Sequence, residues 1–448
     1  IYARIGHDEG RANILCGLGG LYHRQSKYDQ ATSSYTQARK ISARIGHDKG
    51  DADALCNLGY VYCKQFKYHQ AASSYTKAQE IYARIGHEKG QANVLCGLGG
   101  LYHRQSKYDL ARSSYTEAQE IYARTSQDEG RANVLCSLGE LYRDQSKYDQ
   151  AASSYTEAQG IYAHIGNDEG RANVLRGLGE VCCDQSKYGQ ATSSYTEAQE
   201  IYAHIGNDEG RANVLRGLGE VCCDQSKYDQ ATSSYTAAQE IYARIGHDEG
   251  RANVLCGLGE VYLRQSECDQ ARFSYTEAQE IYTRIGHDEG RANVLCSLGD
   301  VYRYQSKHDR ASSFYTEAQE IYTRIGHDQG RANVLCSLGD VYCYQSKHDQ
   351  ASSSYTEAQR IYTRIGHDKG RANVLCGLGQ VYRRQFKHDQ AKSSYTEAQE
   401  IYARFGKIEG QVTALCGLKN IYGDLLHAID AKEFDSKPGR ALPPSVRV

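Results

Sequence analysis

Methionine is absent from all 448 residues, position 1 included, and so is tryptophan. Translation begins at methionine, so the chain is expected to be a fragment, and the lack of a signal peptide says nothing about its compartment. No stretch approaches the roughly eighteen apolar residues of a membrane-spanning helix. With 53 Lys and Arg against 55 Asp and Glu, the formal charge is only -2 and there is no polybasic tail for a nucleic-acid backbone. Gly-x-x-x-x-Gly-Lys-Ser/Thr loops, Gly-x-Ser-x-Gly elbows and His-Glu-x-x-His helices are all missing. Gly17-Leu18-Gly19-Gly20 is glycine-rich but lies inside a helical pattern rather than after a strand. The expectation is a chain that is not an enzyme, needs no cofactor or metal, and engages neither nucleic acid nor membrane.

A forty-residue unit fills almost everything from Ile1 to about Tyr422, and its clearest copy runs from Arg131 to Gly170. Ala132, Leu135, Leu138 and Tyr142 follow at steps of three or four, as do Tyr148, Ala151, Tyr155, Ala158, Tyr162 and Ile165. Each unit therefore reads as two amphipathic helices, and neither can bury its stripe without its partner and the next unit. In the first unit, helices are predicted from Glu9 to about Arg24, with Asp8 as N-cap, and from Lys27 to about Ile45, with Gly46 closing the second. Ser26 with Asp29 has the form of a capping box in the intervening turn. Gly19, Gly59, Gly99, Gly139, Gly179, Gly219, Gly259, Gly299, Gly339 and Gly379 mark the helix crossing, where Ala31 and its copies are expected to face them. Gly10 and its copies are expected to admit the preceding loop.

The sixteen cysteines do not suit a disulfide scaffold. Nine share one first-helix place, from Cys16 to Cys416, and equal places on neighbouring helices lie about 10 Å apart, beyond disulfide reach. A reducing compartment follows, and the expected localisation is cytoplasmic. Cys182 and Cys222 take a buried tyrosine place, leaving Cys183 and Cys223 toward the groove. His47, His87, His247, His287, His327 and His367 recur singly in the loop between units, and Asn167 and Asn207 replace them there. A zinc site needs several ligands converging at about 2 Å, which this spacing does not supply.

Leu138, Gly139 and Tyr142 on one helix, followed by Ala151, Tyr155 and Ala158 on the next, resemble the signature of the tetratricopeptide repeat. The forty-residue period is similar to that of kinesin light chains and some cell-polarity adaptors. The resemblance implies an all-α fold, a right-handed superhelical solenoid of tandem helix pairs. Residues 1–7 are then the end of a truncated preceding repeat, 8–407 ten tandem units, 408–435 an atypical last unit with a short helix from Leu425 to about Phe434, and 436–448 a disordered tail.

In that family the first helices line a concave groove, which here implies the places of Asn133, Cys136, Ser137, Glu140, Arg143 and Asp144. Variation among units concentrates there. The Glu140 place reads Glu180, Glu220, Glu260 and Asp300 in later units; the Asp144 place reads Asp184, Asp224, Arg264, Tyr304 and Tyr344. Arg24, Lys64 and Arg104 precede them as a basic end. Arg176 and Arg216 stand four residues before Glu180 and Glu220 and neutralise part of the acidic strip. Asn13, Asn93, Asn133 and their copies form a ladder that either bonds the backbone of an extended peptide or caps the groove rim. By contrast, the copies Ile161 to Glu200 and Ile201 to Glu240 differ only at Gly189/Asp229 and Glu197/Ala237, which points to recent duplication rather than function.

The function expected is a non-catalytic scaffold or adaptor that binds a protein or peptide, in particular a basic extended segment, with Tyr304 and Tyr344 as apolar anchors. The alternatives are the ligand-sensing repeat region of a larger signalling NTPase whose catalytic domain is missing, and a structural spacer.

Overall fold

A computed structural model of the chain describes residues 8–25, 27–404 and 408–435. Every element in it is an α-helix. First helices are α1 (Asp8–Arg24), α3 (Asp48–Lys64), α5 (Glu88–Arg104), α7 (Asp128–Asp144), α9 (Asp168–Asp184), α11 (Asp208–Asp224), α13 (Asp248–Arg264), α15 (Asp288–Tyr304), α17 (Asp328–Tyr344), α19 (Asp368–Arg384) and α21 (Ile408–Asp435). Second helices alternate with them: α2 (Tyr28–Arg44), α4 (Tyr68–Arg84), α6 (Tyr108–Arg124), α8 (Tyr148–His164), α10 (Tyr188–His204), α12 (Tyr228–Ile245), α14 (Cys268–Ile285), α16 (His308–Ile325), α18 (His348–Ile365) and α20 (His388–Arg404). The chain divides into two compact units, 1–241 and 242–448. Each is a solenoid of helix pairs in which a helix packs on its neighbours in sequence, and the remaining principal contacts join first helices of successive pairs. First helices are thus the inner layer of each stack.

The core repeats with the sequence. Around α8 it comprises Ala132 and Leu135 from α7, Ala151, Tyr155, Ala158 and Tyr162 from α8, and Val174 and Val181 from α9. Every cluster of this kind draws on three helices, so a pair is finished only by the next one. The crossing glycines face tyrosine rings rather than the expected alanines. A Cβ on Gly139 would lie 2.7 Å from Tyr155 Cζ, and one on Gly177, in the following pair, would lie 2.7 Å from the same atom. The buried Tyr155 ring is therefore seated between two glycines. Ala151 and its copies are buried as well, but the ring takes the space at the crossing. Gly130 likewise admits the Tyr122 ring, with Cε1 2.6 Å from the place of a Cβ. At Gly90 and Gly290 both the preceding helix's tyrosine and the loop histidine approach, His87 and His287 Nδ1 each 2.7 Å away, so the Gly10 place admits the preceding loop as expected and a ring of the preceding helix besides.

The helix ends differ from expectation in an informative way. Most first helices begin at the aspartate itself, and the residue before it is the cap in most pairs, His47 and Gln127 making no such bond: Gly290 N donates to His287 Nδ1 at 2.8 Å and Gly170 N donates to Asn167 Oδ1 at 2.8 Å. Histidine with its proton on Nε2 presents the same acceptor as an asparagine carbonyl, which explains why the two interchange in the loop. The capping box does not form. Ser26 lies outside the described residues, but its copies Ser146, Ser186 and Ser226 have φ of 57°, 58° and 59° and close the first helix instead. Lys147 and Lys187 stand at the cap of the second helix and make no side-chain bond to it. Gly166, at φ 69°, closes the second helix as expected. The last unit is not a pair, since α21 runs unbroken from Ile408 to Asp435 where two helices were expected. Residues 1–7 and 436–448, read above as a repeat end and a tail, lie outside the described residues.

Gly219→Leu, which drives a side chain into the Tyr235 ring, is expected to destabilise the array by at least about 2 kcal/mol through overpacking, against under about 0.5 kcal/mol for Lys227→Ala, both read by urea denaturation. His287→Ala removes a cap and is expected to cost about 1 kcal/mol, while His287→Asn preserves the acceptor and should cost less than half of that.

Candidate protein-binding groove

The side chains on the inner face are held by the same tyrosines that build the core. Tyr162 lays its ring on Gly170 of the next pair and returns its hydroxyl to Asn133 Oδ1 of its own pair at 2.6 Å. Tyr122 to Asn93 at 2.6 Å, Tyr202 to Asn173 at 2.7 Å, Tyr282 to Asn253 at 2.6 Å and Tyr362 to Asn333 at 2.5 Å repeat the bond. Each of these asparagines is exposed. With Oδ1 taken by the tyrosine, the carboxamide turns its NH2 outward. The ladder is thus fixed by an internal bond and still has donors to offer.

These asparagines open onto hollows along the first helices. In the N-terminal unit, Asn93 and Asn133 line one of about 1400 Å³ together with Asp128, Glu129, Asp168, Glu169 and a single cation, Lys89. A second, of about 470 Å³, holds Tyr60, Arg104, Glu140 and Asp144. In the C-terminal unit, Asn333, Asn373, Gln380, Arg383 and Asn420 surround one of about 540 Å³.

The acids of the first helices are largely neutralised within each unit. Arg176 Nη1 meets Glu180 Oε1 at 2.5 Å, and Arg216 pairs with Glu220, both within one helix. Arg143 reaches across to the following first helix, bonding Glu180 and standing 3.7 Å from Asp184. His103 Nε2 meets Asp144 at 2.8 Å across the same kind of step. Glu260 pairs with Arg264 at 2.7 Å, and Asp300 is held by Arg303 at 3.0 Å and by the Tyr315 hydroxyl at 2.7 Å. Glu140 and Asp224 are exposed on this face. At the basic end, Arg24 and Arg104 are exposed, and the Lys64 ammonium lies 5.7 Å from the centre of the Tyr60 ring. Tyr304 and Tyr344 are 60% and 63% exposed.

Two acids of the strip respond in opposite directions. The bond from His103 holds the Asp144 carboxyl below its usual range against the effect of burial. Burial raises Asp184 and outweighs the attraction of Arg143. Because its folded value is depressed, Asp144 contributes stability above the ordinary carboxylate range and loses it as pH falls through the lowered value.

The cysteines of the first helices lie beneath this surface, against the tyrosine hydroxyls. Cys96 Sγ is 3.9 Å from Tyr122 Oη, and burial pushes its thiol up to about 11; Cys56, Cys256, Cys296 and Cys336 are pushed up to about 12. Cys183 lines a hollow with Arg176, Glu180 and Asp184, as expected, and lies 3.8 Å from the Tyr195 hydroxyl; Cys223 is buried, whereas Cys182 and Cys222 are half-buried rather than fully covered. Among the described residues no group of three or more His, Cys, Asp and Glu side chains is placed to hold a metal, and no helix is long and apolar enough to cross a membrane.

The tetratricopeptide repeat model matches residues 10–84, 50–124, 90–164, 130–204, 170–244, 210–284, 250–324 and 326–404. The chain belongs to the tetratricopeptide repeat family. No curated protein matches it. Among solved structures, this tetratricopeptide array is similar to aspartyl phosphate phosphatase F from Bacillus subtilis, at 12% identity and a TM-score of 0.51 over 79% of this chain and 93% of that one. It is also similar to BtubC (BKLC) from P. vanneervenii, at 21% identity and a TM-score of 0.45 over 50% of this chain and 92% of that one. A Rap protein complexed with competence and sporulation factor is a third, at 14% identity and 0.46 over 76% and 99%. At these identities the likeness concerns the fold alone.

Two features of the array are absent from the sequence expectations. Tyr162 and Asn133 stand 29 residues apart within one unit, and Arg143 reaches carboxylates 37 and 41 residues on. The second becomes visible only when successive units are aligned on the forty-residue period, because the partners then fall at one fixed offset.

With its thiols raised and covered, the native protein is expected to react with a disulfide reagent at pH 8 first at Cys416, which is exposed, and at least tenfold more slowly at Cys96. Peptide mapping of the modified sites checks this.

Proposed function

We propose that this array is a non-catalytic scaffold that holds an extended segment of a partner protein against the inner face of its first helices. The observation that carries the reading is the asparagine ladder, whose oxygen atoms accept from tyrosine hydroxyls, so that the NH2 groups take no part in that bond, and whose members Asn93 and Asn133 line the largest of these hollows. An extended peptide presents a backbone carbonyl at short, regular intervals, and such donors bind it without regard to its side chains. Charge then selects among segments. Asp128, Glu129 and Glu169 around the largest of these hollows, with Glu140 beyond, favour lysine and arginine, while Asp168 is held by Arg171 and Asp144 by His103. Glu180, Asp184, Glu220, Glu260 and Asp300 contribute less, since a basic segment has to displace Arg143, Arg176, Arg216, Arg264 and Arg303 to reach them. Arg176 and Arg216 act instead as register marks that repel misplaced positive charge. The forty-residue pair length shared with kinesin light chains and cell-polarity adaptors supports an adaptor of this kind.

An array of fifteen-residue peptides of varied charge tests the proposal. Lysine- and arginine-bearing peptides are expected to be retained. Replacing Asn93 and Asn133 together by alanine should weaken them about tenfold, on the order of one hydrogen bond, with the helical signal unchanged. Neutralising Asp128, Glu129, Asp168 and Glu169 should flatten the dependence on ionic strength. Retention unaffected by either set would remove the reading.

A further inference from the structure

The C-terminal unit carries a second surface of different chemistry, at the corner where each first helix turns into its second. Tyr304 and Tyr344 end α15 and α17, and Phe386 stands two residues past the end of α19, so three successive corners each expose a large aromatic ring, at 60%, 63% and 81%. Such rings would ordinarily be folded inward or replaced by polar residues. They are also fixed in place. Tyr344 stacks on His308 of the preceding pair with centroids 5.4 Å apart and planes 1° from parallel, leaving its other face to solvent. The Tyr304 hydroxyl is 2.9 Å from Ser266 Oγ, in the preceding corner.

Phe386 is the least explicable by packing. It occupies the turn place that is serine in most units and has φ 58°, a left-handed conformation that is strained for a bulky side chain. Its ring makes only an edge contact with His388 at 6.3 Å. Neither the backbone nor the core gains from phenylalanine there.

Outside the Arg303–Asp300 and Arg383–Asp424 pairs, cations outnumber acids at the same corners, with Lys307, Lys347, Lys387, Arg310 and Arg384 against Asp309, Asp349 and Asp389. Lys307, Lys347 and Lys387 follow the rings at each turn, all exposed and none in an ion pair with a described carboxylate; the Lys307 ammonium bonds Gln305 Oε1 at 2.8 Å. Asp309 accepts from Gln345 at 2.8 Å and Asp349 from Gln385 at 3.1 Å, bonds that leave their charge in place. We infer that this aromatic and lysine edge is a docking surface for an acidic segment of another protein that carries aromatic side chains. The ring faces take its aromatic groups by stacking and the ammonium groups take its carboxylates, at a repeat set by the helix pairs. It reassigns Tyr304 and Tyr344 from the expected groove, where they would anchor a basic segment, and otherwise does not depend on the groove reading, which concerns the inner faces of the first helices and a basic partner.

The test uses the full chain and three fluorescent probes: a fifteen-residue peptide of alternating glutamate and tyrosine, its lysine and tyrosine counterpart, and a fifteen-nucleotide oligothymidylate. The glutamate peptide is expected to bind. Its affinity should fall at least tenfold in a variant with Tyr304→Ala, Tyr344→Ala and Phe386→Gly, and should lose most of its salt dependence when Lys307, Lys347 and Lys387 become glutamine. Asn93→Ala with Asn133→Ala should leave it unchanged. Phe386→Gly alone should weaken binding while raising the urea midpoint, because glycine relieves the left-handed turn. A defect of folding would lower both. Absence of binding to the unaltered chain, binding indifferent to the ring substitutions, or preference for the lysine peptide would overturn the inference. Oligothymidylate bound more tightly through the same residues would overturn it in favour of single-stranded nucleic acid.

Discussion

One contact recurs through the array and the rest depends on it: a tyrosine ring laid against glycine. Tyr155 between Gly139 and Gly177, and Tyr195 between Gly179 and Gly217, join a second helix to the first helices on either side at once. The ring is large enough to bridge three helices, and only a missing Cβ lets the backbones come that close. This makes each pair unfinished without the next. It also explains why tyrosine, at 38 residues, outnumbers phenylalanine at 6. A phenylalanine would fill the same core, but its ring would lack the hydroxyl that emerges on the far side.

That hydroxyl links packing to function. Tyr162 and its copies use it to fix Asn133 and its copies, so the residue that welds one pair to the next also determines which half of each carboxamide faces outward. The inner face is in this sense an outcome of the core rather than a layer added to it. Variation concentrates at the places of Glu140 and Asp144, on the first helices that carry these asparagines. Where charges meet at those places they mostly satisfy one another, as Arg143 does with Glu180 and Asp184. Exposed groups that remain without such partners, Glu140 on the inner face and the rings of Tyr304, Tyr344 and Phe386 at the corners, are those with something left to offer a second molecule.

Periodicity made the helices and their order legible. Asp128 to Asp144 and Tyr148 to His164 fall within a residue or two of the helices expected from the apolar pattern, because steps of three and four admit no other regular structure. The caps were misread for a simple reason: aspartate is the commoner capping residue, and a neutral histidine accepts the same bond without belonging to the usual set. The crossing was assigned to alanine because a small residue facing a small residue is the usual pattern; a ring filling the space left by two glycines from different units is a contact that no single unit contains. For the same reason, the groove places and the pairs within one helix, such as Arg176 with Glu180, are legible in one copy, while the reach of Arg143 and His103 to the next first helix requires two.

The central claim is that the glycine and the ring are one structural element, and a double-mutant cycle on Gly179 and Tyr195 tests it most directly. Gly179→Ala places a methyl group 2.6 Å from Tyr195 Cε1, and Tyr195→Leu withdraws the ring. Each single change should destabilise the array in urea. Together they should cost less than the sum by at least about 1 kcal/mol, as expected for residues in direct contact. Effects that add to within about 0.3 kcal/mol would mean that the two side chains act separately, and would contradict the account.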